Sequence, residues 1–374
     1  LILAENKLYV GGQFGFVSGQ SRRSVAAIDV ATNQLTEWHP NDVEVVTIYS
    51  MALDSARNRM LVAGRFSSIG IGFGQVRRKV AAIDITTGAI TPWSIEGYSG
   101  VGGACCAPGT PAVQTLLLDN VSNTLYLGGS FDLVGNQTRN KIAAVDVITG
   151  TVRPWNPGAN GYVATMALDQ ATNLLYVGGD FTTIGGSNHN KLAAIDASTG
   201  TATGWEAGIS GGFGDGTVNS LALDAQHRRL FVGGYFDTIG AESRGRLAAI
   251  DLTSLAVTDW NPELRIGDQS QIDGSRIGSL AIDPARGRLY VGGQFGSPDL
   301  DQIDAAYKSY FAEFQLNDLG PTADFDGNGT VDVPDIFAFL SAYFAGDMRA
   351  DCDASGVLGI PDIFAFLTLY FEAI

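Results

Sequence analysis

Basic side chains are scarce in this sequence. Lys and Arg total 23 against 39 Asp and Glu, which leaves a formal charge of -16 over 374 residues. That balance excludes a protein built to grip nucleic acid or an anionic membrane surface. Long apolar runs are missing too, so no segment reads as a membrane span. The three histidines, His39, His189 and His227, fall at unrelated places, none of them in a metal-ligand or triad spacing. There is no Gly-x-Ser-x-Gly, no His-Glu-x-x-His and no phosphate loop. Nothing in the chain marks it as an enzyme. Three cysteines cannot all pair within one chain. Cys105 and Cys106 are adjacent, and Cys352 stands apart. Either the first two close a loop and Cys352 is spare, or one of them bridges to Cys352. An initiator Met and a signal peptide are both absent from the sequence, which opens inside a strand-like pattern, "LILAENKLYV", and reads as a processed or partial product.

What the chain has in quantity is glycine, 48 residues, and much of it recurs in one box. Variants of Val-Gly-Gly-x-Phe end at Phe14, Phe66, Phe131, Phe181, Phe236 and Phe295, at intervals of 50 to 65 residues. A second box, Leu-Ala-Ala-Ile-Asp or a near copy, ends at Asp29, Asp84, Asp146, Asp196 and Asp251, with a degraded copy ending at Gln315. A tryptophan follows each of the first five: Trp38, Trp93, Trp155, Trp205 and Trp260. A fourth run, such as "MALD" or "LALD", closes at Asp54, Asp119, Asp169, Asp224 and Asp283. Each unit thus holds four short β-branched and aromatic runs separated by turn signals, and helical periodicity is absent before residue 320. Four strands in a repeat of this length predict a propeller blade, and six copies predict six blades. The Gly pair predicts a bulge or close backbone contact. The Ala pair predicts close approach of neighbouring sheets, and the terminal Asp predicts a side-chain-capped turn.

The ordered set of Leu-Tyr-Val-Gly-Gly-x-Phe, Leu-Ala-Ala-Ile-Asp and Trp-Asn-Pro resembles a family of bacterial secreted β-propeller repeats. The resemblance covers residues 1–318 and implies a mainly β, six-bladed extracellular domain without implying one activity. The sixth unit carries no Trp run, which leaves an outer strand unaccounted for and an edge open to strand addition.

Two features of the repeats could carry chemistry. A basic residue precedes the third run at Arg22, Arg77, Arg139, His189 and Arg244. A ring of such cations could bind an anionic polysaccharide, but repetition in every unit points to scaffold. Unequal loops at 94–113, 206–217, 263–276 and 297–308 are the other place for a site. The last holds Asp299, Asp301 and Asp304, and a carboxylate pair across a face could hydrolyse a glycoside. Asn120 and Asn136 lie in glycosylation sequons.

Residues 319–374 are a different kind of chain. "DFDGNGTVDVPDIFAFL" from Asp324 is nearly repeated as "DCDASGVLGIPDIFAFL" from Asp351, twenty-seven residues on. The first loop places Asp324, Asp326, Asn328, the Thr330 carbonyl, Asp332 and Asp335 at the six ligand positions of a calcium loop, with Gly329 at its sharp turn. The second places Asp351, Asp353, Ser355, the Val357 carbonyl, a water at Gly359 and Asp362 likewise, with Gly356 at the turn. Two calcium ions are expected. Residues 321–374 contain nine acids and one base, so a cation is needed to hold the carboxylates together.

The duplicated loop-helix unit resembles the dockerin module of bacterial extracellular assemblies, and its Phe-rich helices are similar to tails that anchor secreted proteins. The usual Lys/Arg-rich recognition positions are missing, which departs from the pattern that meets a cohesin. Large apolar side chains sit all round both helices. Ile336, Phe337, Phe339, Leu340, Tyr343 and Phe344 in one, and Ile363, Phe364, Phe366, Leu367, Tyr370 and Phe371 in the other, are the expected partner-binding residues. The expected function is a non-enzymatic extracellular or cell-surface interaction protein. Its tail would dock head to tail into another copy, or into a cohesin-like or anchoring receptor. The alternative is a carbohydrate-binding or carbohydrate-active propeller, with glycans as ligands, delivered to a scaffold by that tail.

Overall fold

The structure, a computed structural model, describes residues 1–40, 46–66, 77–95, 101–102, 112–211, 216–262, 276–284, 286–295, 309–316, 323, 325, 330–346, 350, 352 and 358–373. It is mainly β, with two helices at its C-terminal end. Two compact units are formed, one of residues 1–168 and 174–204, the other of residues 169–173 and 205–374.

Among the described residues, four antiparallel sheets built from the repeated boxes fall in the first unit. Ile2–Ala4, Lys7–Gly11, Val25–Asp29 and Gln34–Leu35 make the first, and Thr47–Asp54, Arg59–Arg65 and Val80–Asp84 the second. The third is Val113–Asp119, Thr124–Gly129 and Ile142–Asp146, and the fourth is Val163–Asp169, Leu174–Gly179 and Leu192–Asp196. The second unit has two more, Thr217–Asp224 with Arg229–Tyr235 and Leu247–Asp251, and Arg276–Asp283 with Arg288–Phe295 and Ser309–Gln315. Within each unit the core lies between consecutive sheets.

The repeated boxes set the register. Each second strand places a large side chain opposite the Ala pair of the third: Tyr9 faces Ala27, Tyr126 faces Ala144, Tyr176 faces Ala194 and Phe231 faces Ala249. Those alanines are buried, so neighbouring layers close over them. The second glycine of each Gly-Gly box sits beside a register shift in the first strand. A Cβ on Gly64, Gly129, Gly234 or Gly293 would strike the carbonyl oxygen of Thr47, Ala112, Thr217 or Arg276. The residue before the third strand is held in the left-handed region in five repeats: Ser24, Lys79, Lys141, Lys191 and Arg246, at φ 64° to 72°. That turn aims its carbonyl at the second glycine, whose N–H donates to it, at 2.9 Å in the Gly179 to Lys191 case.

The outer run of each unit, the one that leads to the tryptophan, is shorter than the four-strand expectation. It is reduced to single bridges, Ile83 to Ile90, Val145 to Val152, Ile195 to Ala202 and Ile250 to Val257, and to two residue pairs in the first sheet. The repeated basic residue braces this run in four of the sheets. Arg22, Arg77, Arg139 and Arg244 are buried, and each donates to a carbonyl fourteen residues on: Thr36 at 2.8 Å, Thr91 at 3.1 Å, Arg153 at 2.8 Å and Thr258 at 2.8 Å. These cations are internal clamps, and no basic ring faces a ligand.

The Asp that closes each third strand caps the following turn, as its position implies. Asp29 accepts from the backbone N–H groups of Ala31 and Thr32, and Asp84, Asp146, Asp196 and Asp251 repeat the arrangement. Among the described residues, two-residue hairpins follow four of the Gly-Gly-x-Phe boxes, at 16–21, 133–138, 183–188 and 238–243. A Gly at each tip was their signal in the sequence.

Two expected outcomes follow. In the fourth repeat the clamp position is His189, 2 % exposed, with neither ring nitrogen partnered. His189→Arg places there the guanidinium that four other repeats carry, and should raise stability by about 1 kcal/mol in thermal or urea unfolding. A lower midpoint would show that the pocket cannot take the longer side chain. The second concerns pH. The backbone N–H groups of Thr32, Thr87, Thr149 and Thr199 hold Asp29, Asp84, Asp146 and Asp196 below the ordinary carboxylate value. A folded pKa below the unfolded one gives stability that is present above the unfolded value and lost as pH falls through the folded one. The melting temperature should therefore hold above about pH 5 and fall below about pH 4. A flat profile through that range would contradict it.

Candidate functional site

Among the described residues, the repeats offer little that could act on a ligand. The clamping cations are buried, and the loops with Asp273, Asp299, Asp301 and Asp304, and with Cys105 and Cys106, lie outside the described residues. Cys352 is buried in the tail's own core. The surface that stands out is in the tail.

Two helices, α1 (Val333–Ala345) and α2 (Ile360–Ala373), begin where the acidic loops end. Pro334 and Pro361 occupy first-turn positions, where a missing N–H costs nothing. Asp335 turns back to accept the N–H of Asp332 at 2.9 Å, and Asp362 does the same for Gly359 at 2.7 Å. Gly346, at φ 73°, ends α1 with its N–H on the last-turn carbonyls.

The duplication appears in three dimensions. Phe339 and Phe366, twenty-seven residues apart, stack face to face with centroids 4.2 Å apart and planes 4° from parallel. Phe325 stands edge-on to both, at 5.5 and 5.7 Å. Tyr370, Ala342, Ala350 and Cys352 complete a closed core. Phe339, Phe366 and Tyr370 of the expected partner-binding residues are therefore used inside the tail and are not available to a partner. Ile336, Leu340, Tyr343, Ile363 and Leu367 are half-buried. The rest face outward: Phe337 is 67 % exposed, Phe344 79 %, Phe364 66 % and Phe371 65 %. Val333 at 56 % and Ile360 at 67 % join them; the sequence reading missed both because they sit at the helix starts.

Of the expected calcium ligands, Thr330, Asp332, Asp335 and Asp362 are described. Asp324, Asp326, Asn328, Asp351, Asp353, Ser355 and Val357 lie outside the described residues. Asp332 is exposed and lies 3.4 Å from the Thr330 hydroxyl. Asp335 and Asp362 are fully buried. Residues 321–374 contain no Lys or His, and Arg349 is their one base. Carboxylate and hydroxyl oxygens of this kind suit a hard cation such as calcium. Among the described residues, no group of three or more His, Cys, Asp or Glu converges.

No known family matches the chain, and no curated protein matches its sequence. Solved structures with some likeness include an extracellular domain assigned to a hybrid two-component system of B. thetaiotaomicron. It is 16 % identical, with a TM-score of 0.47, and the alignment covers 79 % of this chain and 31 % of that one. A second, an extracellular domain assigned to a one-component system of the same organism, gives 17 % identity, a TM-score of 0.45, and coverage of 78 % and 31 %. The chain thus spans about a third of the length of either. Among the described residues no helix is long and apolar enough to cross a membrane.

Asp335→Asn and Asp362→Asn test the buried carboxylates. Each keeps an oxygen for the N-terminal cap and removes a charge. The calcium-dependent rise in the tail's melting temperature should shrink by about half in either variant and vanish in the double variant, while stability in chelator holds or increases. Variants that keep the whole calcium shift would remove these residues from the ligand set.

Proposed function

We propose that this is an extracellular or cell-surface interaction protein. The repeats of residues 1–318 are the blades of a six-bladed β-propeller. Residues 319–374 are a calcium-binding, dockerin-like module through which the chain assembles. The observation that carries the reading is the pair of outward phenylalanine rows on helices that follow directly from acidic loops. A monomer gains nothing from large aromatic side chains two-thirds exposed, and such patches mark contact surfaces.

The assignment of roles follows from position. Asp335 and Asp362 join loop to helix, since each belongs to an acidic loop and caps the helix that leaves it. Whatever orders the loops therefore fixes where the helices start. Calcium, when bound, neutralises the loop carboxylates and closes each loop around one centre. The Phe339–Phe366 stack fixes the helices to one another, so the outward side chains are presented as a rigid set. The partner is either a second copy of the chain or a scaffold or anchoring receptor. The absence of a catalytic constellation from the sequence favours assembly over chemistry.

Calorimetry of the chelator-treated full chain is the test. Two calcium ions should bind, the first loop more tightly, because it offers four carboxylates (Asp324, Asp326, Asp332, Asp335) against three in the second (Asp351, Asp353, Asp362). Asp335→Asn should remove the tighter phase and Asp362→Asn the weaker. A chain that takes up no calcium would sink the module assignment, and loss of the tighter phase in Asp362→Asn would reverse the order of the sites.

A further inference from the structure

We infer that the tail is bivalent and self-associating: the outward row of each helix takes the corresponding row of a second copy of this chain, so one tail holds two neighbours at once. The inference rests on the reading of the tail as a docking module and narrows its partner.

The geometry comes from the helical repeat. At about 100° per residue, Val333, Phe337, Leu340 and Phe344 fall within roughly 60° of arc on α1. The buried residues of α1, Asp335, Phe339 and Ala342, cluster near the opposite side of the wheel. Ile360, Phe364, Leu367 and Phe371 repeat the row on α2, each twenty-seven residues from its counterpart, and Asp362 and Phe366 again lie opposite. The two helices meet through their inner sides, at the Phe339–Phe366 stack. Each outward row therefore points away from the helix pair, and the two rows point away from one another. One compact partner cannot cover both.

The chemistry of the rows selects the occupant. Between Val333 and Phe344, and between Ile360 and Phe371, the acids are Asp335 and Asp362, both fully buried. The small exposed polar groups beside the rows, Ser341 and Thr368, are uncharged. A partner with a basic rim would find nothing to pair with on these faces. A neutral apolar row is what they complement, and each is such a row. Two rows can face one another without burying a charge or stranding a donor. The inner interface shows that helices of this composition pack in this chain with equivalent phenylalanines face to face. Area points the same way. Taking about 200 Å² for a fully exposed Phe, one row presents roughly 400 Å². That is half of the approximately 800 Å² per partner of a standard stable interface, so each contact is a weak one that forms only as concentration rises. A two-ended contact of this kind continues into a chain.

The experiment is sedimentation velocity and light scattering of the full chain in calcium, over a wide concentration range. Three proteins are compared: the wild type, Phe337→Ser with Phe344→Ser, and those two combined with Phe364→Ser and Phe371→Ser. The substituted residues are exposed, and unchanged calcium uptake and circular dichroism confirm the fold. The wild type should pass beyond twice the monomer mass as concentration rises. The variant with one row left should stop at the dimer, and the variant with none should stay monomeric. A wild type that stays monomeric throughout overturns the inference. If it has bound calcium, the docking reading survives with a foreign partner; if it has not, that reading falls as well. A wild type and a one-row variant that both stop at the dimer would overturn bivalence.

Discussion

The repeats depend on a tryptophan that is shared between neighbours. A three-stranded antiparallel sheet with one apolar face is marginal alone and must be covered. Trp38 sets its ring edge-on to Tyr9 of its own sheet, at 4.9 Å, and donates its indole N–H to the Asp84 carbonyl of the next sheet, at 3.0 Å. Trp155 does the same with Tyr126 at 5.2 Å and the Asp196 carbonyl at 3.3 Å. Trp205 reaches the Leu255 carbonyl at 3.2 Å. One side chain thus seals an apolar layer and satisfies a strand-end carbonyl on the far side of it. The accepting carbonyl of Asp84 or Asp196 belongs to the residue whose side chain caps the next turn. Cap and pin are adjacent groups of one residue, so the turn must be formed for the tryptophan to find its acceptor.

Much of this was legible because it repeats. The Ala pair, the Gly pair and the closing Asp recur at fixed places, and each has a single backbone or packing reason that can be read from residue type. The outer strand was overestimated: its residue types are strand-like, but it keeps only one or two pairs, and in four sheets it is braced by an arginine fourteen residues earlier, which only folding brings near. The hairpins at 133–138 and 183–188 were missed because two-residue strands are too short to leave a periodic signal. The rise and fall of Arg22, Arg77, Arg139 and Arg244 as a ligand surface turns on burial, which sequence order leaves open.

In the tail, the duplication and the loop acids were plain in the sequence, and the helices followed from them. The partition of the aromatics was not. A helix that is apolar on every side gives no amphipathic direction, so Phe337 and Phe339 look equivalent until a second helix arrives. The buried side is shared by the capping aspartates: Asp335 and Asp362 lie on the same side of their helices as the phenylalanine one turn on, Phe339 after Asp335 and Phe366 after Asp362.

The Phe339–Phe366 stack makes each half of the tail the cover of the other. Each ring packs flat on its own counterpart, and Phe325 of the first half closes the edge of both. The duplicated halves are therefore held as one pseudo-symmetric pair, and neither ring could be exposed without uncovering the other. Phe325 and Cys352, at equivalent positions, show where the halves differ, for one ring closes both where a symmetric pair would have offered two.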